Sequence, residues 1–314
     1  MKLRITIDIF SGLPNPSWVL GDAKQVADLL ERLEASPSAS TSPHEVPSKL
    51  GLRAVHVERL DDRPPAAAQG PGLWVVAPGT AADPAAAAQL AEDLVNTAPA
   101  GPLATADTLL QLPPELQEYV IGEIRQWPTN PGSDQRSSGS GPLIAPPAPE
   151  LGQIICPYDT VTFAPASWND RAHILLNNCY NYASNIRNDT FAQPGWKHGY
   201  RIPPACTLDQ VAQGARADGY RADGNCQPPT ATNRWLVALV AGDFPGGKRD
   251  YHWYRRHTEG FWGHKGGEGP AVNTDNSGRV INDPEHCDRG NYTEWGGYYL
   301  SSNAVEISGP LAAG

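Results

Sequence analysis

Residues 129–150 constrain the fold of this chain more than any other feature. The run Asn-Pro-Gly-Ser-Asp-Gln-Arg-Ser-Ser-Gly-Ser-Gly leads into Pro-Leu-Ile-Ala-Pro-Pro-Ala-Pro. Flexible Gly/Ser text followed by stiff Pro text is linker composition, with too little apolar surface to join a core. The text on either side differs in kind. Of eleven Tyr only Tyr119 precedes the break, and of nine Trp only Trp18, Trp74 and Trp127 do; all five Cys follow it. Such unlike stretches are not expected to share one core. The 314 residues are enough for two domains. The expected organisation is an N-terminal domain over 1–128, a linker over 129–150 and a second domain over 151–314.

The first stretch reads as a small α+β domain. Met1 to Phe10 alternates apolar and polar residues strictly, the pattern of a half-buried strand. It lacks the continuous apolar run of a Sec-type signal, which leaves localisation open between the cytoplasm and a non-Sec export route. Ser11-Gly-Leu-Pro-Asn-Pro16 stacks turn formers. Asp22 can cap a helix to about Leu33, with Val26, Leu29, Leu30 and Leu33 on one face. Residues 35–48 read as loop, 51–60 and 72–78 as strands, 83–96 and Pro114 to Trp127 as helices.

Charge excludes some functions. The net charge of −10 disfavours nucleic acid, which calls for a clustered basic surface. No apolar run approaches the ~20 residues of a membrane span. The cysteine spacings contain no CxxC and the chain no HExxH, so a structural zinc site is not expected; a metal held by His252, His264 and a carboxylate is an alternative that no spacing selects, and no cofactor is called for. Cys206–Cys226 and Cys156–Cys287 are the disulfide pairings the order of the cysteines suggests, in a chain whose odd count leaves a thiol over. Asn188-Asp-Thr190 and Asn291-Tyr-Thr293 match the glycosylation pattern and are read as chance.

Chemistry concentrates around Cys179. Asn178 is a good N-cap, which places Cys179 in the first turn of a helix, where unpaired N–H groups and the helix dipole favour a thiolate. Trp235 to Val240 reads as a buried strand, and Asp250 to Arg255 and Phe261 to Lys265 as a hairpin turning near His257–Thr258. His252 and His264 are twelve residues apart and fall close to opposite each other.

A Cys at a helix start, a His in a following strand and a polar residue in the next strand resemble the papain-like core. The His pair and the segment Cys-Tyr-Asn-Tyr-Ala, followed by Pro194-Gly195, resemble the NlpC-type and CHAP-type cell-wall peptidases and amidases of bacteria. The resemblance implies a papain-like α+β domain with an antiparallel sheet. It also implies a thiol hydrolase that cleaves amide bonds in a peptide or cell-wall-type substrate. Cys179 would be the nucleophile, His252 the general base and acid, and His264 the orienter, with Asn273 or Asp275 as substitutes for His264. The N-terminal domain would bind a protein partner, target the chain or inhibit it.

Bland readings stand beside these. Cys179 also reads as a small buried residue under a helix, His252 as an ordinary strand residue and His264 as a surface histidine. A second function is a non-catalytic module binding glycan or protein. Its contact surface would be drawn from Trp253, Tyr254, Phe261, Trp262, Tyr292, Trp295, Tyr298 and Tyr299, rigid area at low entropic cost.

Overall fold

The computed structural model describes residues 1–60, 72–77, 81–99, 112–127, 156–225 and 233–311. The expected linker lies outside them. The chain is α+β, with helices packed on antiparallel sheets. It divides into two compact units. Unit 1 comprises Met1–Ile9, Pro14–Pro47 and Leu52–Gln135, and unit 2 comprises Phe10–Leu13, Ser48–Gly51 and Arg136–Gly314. Two short segments of the N-terminal stretch thus belong with the second unit, and the contacts of Phe10–Leu13 there are described below.

Unit 1 is a four-stranded antiparallel sheet in the order β2-β1-β3-β4. Its strands are β1 (Lys2–Asp8), β2 (Ser17–Leu20), β3 (Ala54–Leu60) and β4 (Leu73–Val76), joined by helices α1 (Ala23–Ala35), α2 (Pro84–Val95) and α3 (Pro114–Arg125). Strict alternation in β1 buries Leu3, Ile5 and Ile7 on one face. Asp22 caps α1 by accepting from the Gln25 backbone N–H at 2.9 Å, and Val26, Leu29 and Leu33 form the buried stripe. The core also holds an ion pair. Arg53 donates from Nη2 to Asp8 Oδ1 at 2.6 Å and from Nε to Oδ2 at 3.0 Å, both side chains being fully buried. The two-pronged geometry and a third bond from Asn15 Nδ2 at 3.1 Å offset the cost of taking these charges out of water.

Unit 2 is built on a six-stranded antiparallel sheet, β5-β10-β6-β7-β8-β9. The strands are β5 (Arg221–Ala222), β6 (Arg234–Phe244), β7 (Lys248–Arg256), β8 (Trp262–Lys265), β9 (Ala271–Val272) and β10 (Glu294–Ser302). Helices α4 (Ala166–Asn169), α5 (Cys179–Ser184) and α6 (Leu208–Ala217) accompany it. Central strands β6 and β7 are buried along almost their whole length, which explains the near-continuous apolar text of Trp235 to Val240. No helix among the described residues is long and apolar enough to cross a membrane.

The cysteine pairings differ from expectation. Cys206 and Cys287 are thiols, so neither Cys206–Cys226 nor Cys156–Cys287 forms. Cys156 is disulfide-bonded, and Cys226 lies outside the described residues.

Candidate functional site

Strand β7 organises unit 2, because its two faces carry different chemistry. Side chains alternate along a strand, so Tyr251, Trp253 and Arg255 point one way and Asp250, His252 and Tyr254 the other. Helix α5 lies on the first face. The Tyr180 ring packs against Trp253 at 5.8 Å, and the Arg255 guanidinium sits 4.5 Å from the centre of the Tyr182 ring.

Asn178 caps α5 as its residue type suggests, accepting from the backbone N–H groups of Tyr180 and Asn181 at 3.1 Å each. Asn181 returns the contact through its side chain, which accepts from the Asn178 N–H. The helix is only six residues long, ended by Asn185 in the left-handed conformation. So short a helix carries little of the macrodipole that a thiolate would need. Cys179 is fully buried, beside a stack of Tyr180 on Tyr220 at 5.2 Å.

His252 lies on the opposite face of β7, fully buried against Tyr254, His264 and Tyr292, with ring centres 4.6, 4.9 and 5.9 Å away. The structure therefore brings the two histidines together. It seats them diagonally rather than face to face, because Tyr254 is the residue opposite His264. The turn closes over Thr258–Gly260, with His257 N–H bonded to the Phe261 carbonyl and Gly260 N–H to that of His257. His264 is 2 % exposed and its Nε2 donates to the Thr274 carbonyl at 2.9 Å. Asp275 is committed to its own turn, accepting from the Ser277, Arg279 and Asp288 backbone N–H groups.

The thiols of buried Cys206 and half-buried Cys287 are poor nucleophiles. Burial pushes Cys206 and Cys287 up to about 12, a range in which the thiolate is scarce at neutral pH.

Asp250, beside His252, is the residue that sequence reasoning passed over. Its carboxylate accepts from Ser11 N–H at 2.6 Å, Leu13 N–H at 2.8 Å, Gly12 N–H at 3.2 Å and the Tyr292 hydroxyl at 2.6 Å. Burial prevails and holds its pKa above the ordinary carboxylate value, against the lowering effect of the bonds from Tyr292, Leu13 and Ser11 and from the Tyr251 backbone N–H. The available signal was an acidic residue in a strand that is otherwise buried, a position that demands donors from elsewhere.

The aromatics divide into core and surface. Trp253, Trp262, Tyr254 and Tyr292 are fully or almost fully buried, and Phe261 and Tyr299 nearly so, so these six pack the interior and are not a contact surface. Trp295 and Tyr298 are half-exposed on β10 and meet edge to face at 5.1 Å. Tyr298 stacks on buried Trp262 at 5.6 Å, and Arg289 stands 5.9 Å over the Trp295 ring.

No protein-family model matches the chain, and no solved structure matches it. The chain is 41 % identical over 144 residues to insoluble matrix shell protein 1 of Ruditapes philippinarum, a match covering 43 % of this chain and 86 % of that protein. The chain belongs to the family of that shell protein. This finding overturns the expectation of a bacterial cysteine hydrolase of peptidase or amidase type. The roles of nucleophile, base and orienter for Cys179, His252 and His264 were part of that hydrolase reading. Their burial suits the correction, since no substrate bond reaches a fully buried thiol without the core opening.

Proposed function

We propose that the protein is a non-catalytic matrix-type module that binds a glycan surface through the half-exposed Trp295 and Tyr298 of unit 2. The observation that carries this reading is the 41 % identity to an insoluble matrix shell protein. The geometry supports it in two ways. Residues with catalytic potential are packed into the interior, whereas two adjoining aromatic rings remain half-exposed with Arg289 beside them. Tyr and Trp present rigid amphipathic area at low entropic cost, and a neighbouring guanidinium adds hydrogen-bond donors.

Sedimentation of the protein with an insoluble polysaccharide such as chitin tests the reading. The double substitution Trp295→Ala, Tyr298→Ala is expected to lower the bound fraction at least severalfold, and Cys179→Ala to leave it unchanged. Equal binding by the parent and the double variant defeats the proposal.

A further inference from the structure

Within unit 2, the segment Phe10–Leu13 is held as a bound peptide is held. Three successive backbone N–H groups, of Ser11, Gly12 and Leu13, converge on the Asp250 carboxylate. The Gly12 carbonyl accepts from Asn178 Nδ2 at 2.9 Å, Gln193 Nε2 at 2.7 Å and the Tyr251 hydroxyl at 3.3 Å. Every partner is buried: Asp250, Tyr251, Tyr292 and Asn178 completely, Gln193 almost so. Bonds to main-chain atoms fix a backbone without selecting side chains, so selection has to come from shape.

Shape selects at three positions. A Cβ on Gly12 would lie 2.5–2.7 Å from three carbons of the Tyr251 ring, so the central position admits glycine alone. Phe10 meets Phe244 edge to face at 5.2 Å, and Leu13 is buried. Tyr251 therefore does two things at once: its ring excludes a side chain and its hydroxyl binds the carbonyl of the residue so selected. Tyr292 also acts twice, donating to Asp250 and accepting from Ser11 N–H at 3.2 Å.

We infer that unit 2 carries a peptide-recognition slot for a Phe-x-Gly-Leu segment, filled here by the chain's own Phe10–Leu13 and able to take that segment from a second copy. The occupant is named by the sequence, in which Phe-Ser-Gly-Leu stands once, at 10–13. Reciprocal exchange of one segment between copies is a low-cost route to assembly, because every contact in the exchanged state already exists in the unexchanged one. The slot is distinct from the Trp295–Tyr298 surface and stands whether or not that surface binds glycan.

Complementation between two variants of the full chain tests the inference. Gly12→Val spoils the segment and leaves the slot intact; Asp250→Asn spoils the slot and leaves the segment intact. Each alone is expected to keep the parent's mass by light scattering, and an equimolar mixture to form a one-to-one complex. The peptide Ile-Phe-Ser-Gly-Leu-Pro should bind the Gly12→Val chain at least about tenfold more tightly than the parent, whose own segment competes at high effective concentration. A peptide with Ala in place of Gly should not bind. No complex in the mixture, or equal binding of the Gly and Ala peptides, overturns the inference. Should either variant fail to fold, hydrogen exchange on the unaltered chain decides. Ser11 and Leu13 amides exchanging roughly 100-fold or more slowly than in the free peptide support the slot, and free-peptide rates refute it.

Discussion

The Tyr182 hydroxyl donates to His257 Nε2 at 2.8 Å, because the other ring nitrogen, Nδ1, is already the donor to the Val161 carbonyl at 3.0 Å. A carbonyl can only accept, so the neutral imidazole has its proton on Nδ1 and a lone pair on Nε2. Arg255, over the Tyr182 ring, also donates to the Tyr182 carbonyl. Burial, and after it the Arg255 charge, pushes His257 down to about 3; burial lifts Tyr182 to about 12. The pair keeps both protons where the geometry needs them across ordinary pH.

Gly263 on β8 is what leaves room for this bond. A Cβ there would lie 2.6 Å from the Tyr182 hydroxyl oxygen and 2.7 Å from His257 Nε2. Gly263→Ala is expected to break the Tyr182–His257 bond and destabilise unit 2 by about 2–4 kcal/mol, combining overpacking with an orphaned buried polar atom. Urea denaturation followed by Trp fluorescence checks it, and a loss of less than about 0.5 kcal/mol would show that the neighbourhood yields.

His257 also sets a pH dependence. In the unfolded chain an imidazole takes its proton near pH 6.5, whereas the folded ring resists until about 3. The unfolded state therefore binds more protons in this window, and stability falls as pH drops from about 6.5 toward 3, by up to ~1.4 kcal/mol per pH unit. His257→Gln removes the titration. The stability difference between parent and variant should shrink steadily from pH 6.5 to 4, and a difference independent of pH contradicts the assignment.

Local pattern made much of this molecule legible. Alternation marked β1, the Asp22 and Asn178 caps marked the starts of α1 and α5, and continuous apolar text marked β6. Adjacency of His252 and His264 followed from strand spacing, although the diagonal register did not, since it depends on one residue in the turn. The Asp250 clasp was illegible for a physical reason: its donors come from Ser11, Gly12 and Leu13, some 240 residues away, and no periodicity encodes a contact between a loop and a distant carboxylate. Trp253 and Trp262 read equally well as surface or core, because alternation says that two faces exist and not which of them is covered.

Asp218 gives the opposite pH signature to His257. Its Oδ2 accepts from Gly195 N–H at 2.7 Å and the Tyr180 hydroxyl at 2.9 Å, yet burial prevails and raises it to about 6. The folded state then holds a proton that the unfolded state releases near pH 3.9, so this group's contribution falls as pH rises from about 4 to 6. Asp218→Asn keeps an acceptor in place and removes the titration. Relative to the variant, the parent should lose up to about 3 kcal/mol across that interval, measured by denaturant unfolding at half-unit steps. A proton on His198, whose Nε2 is 3.7 Å from Oδ1, mutes the effect, and His198→Gln should therefore enlarge it.

Thiol reactivity separates a packed core from a poised nucleophile. Cys179 and Cys206 are fully buried, and Cys206 and Cys287 are held near 12 by desolvation. Alkylation needs both the thiolate and access to it. The native protein at pH 8 is expected to take up iodoacetamide at Cys179, Cys206 and Cys287 at least about 100-fold more slowly than the same chain in guanidinium, where an ordinary cysteine titrates near 8.5. Half-buried Cys287 should react first, since it is the least buried residue of the three. Intact mass with peptide mapping reads the order directly. Rapid, selective labelling of Cys179 in the folded protein is the result that would restore a nucleophile at the head of α5. Slow labelling of all three follows from the burial of Cys179 and Cys206 and from the raised pKa of Cys287.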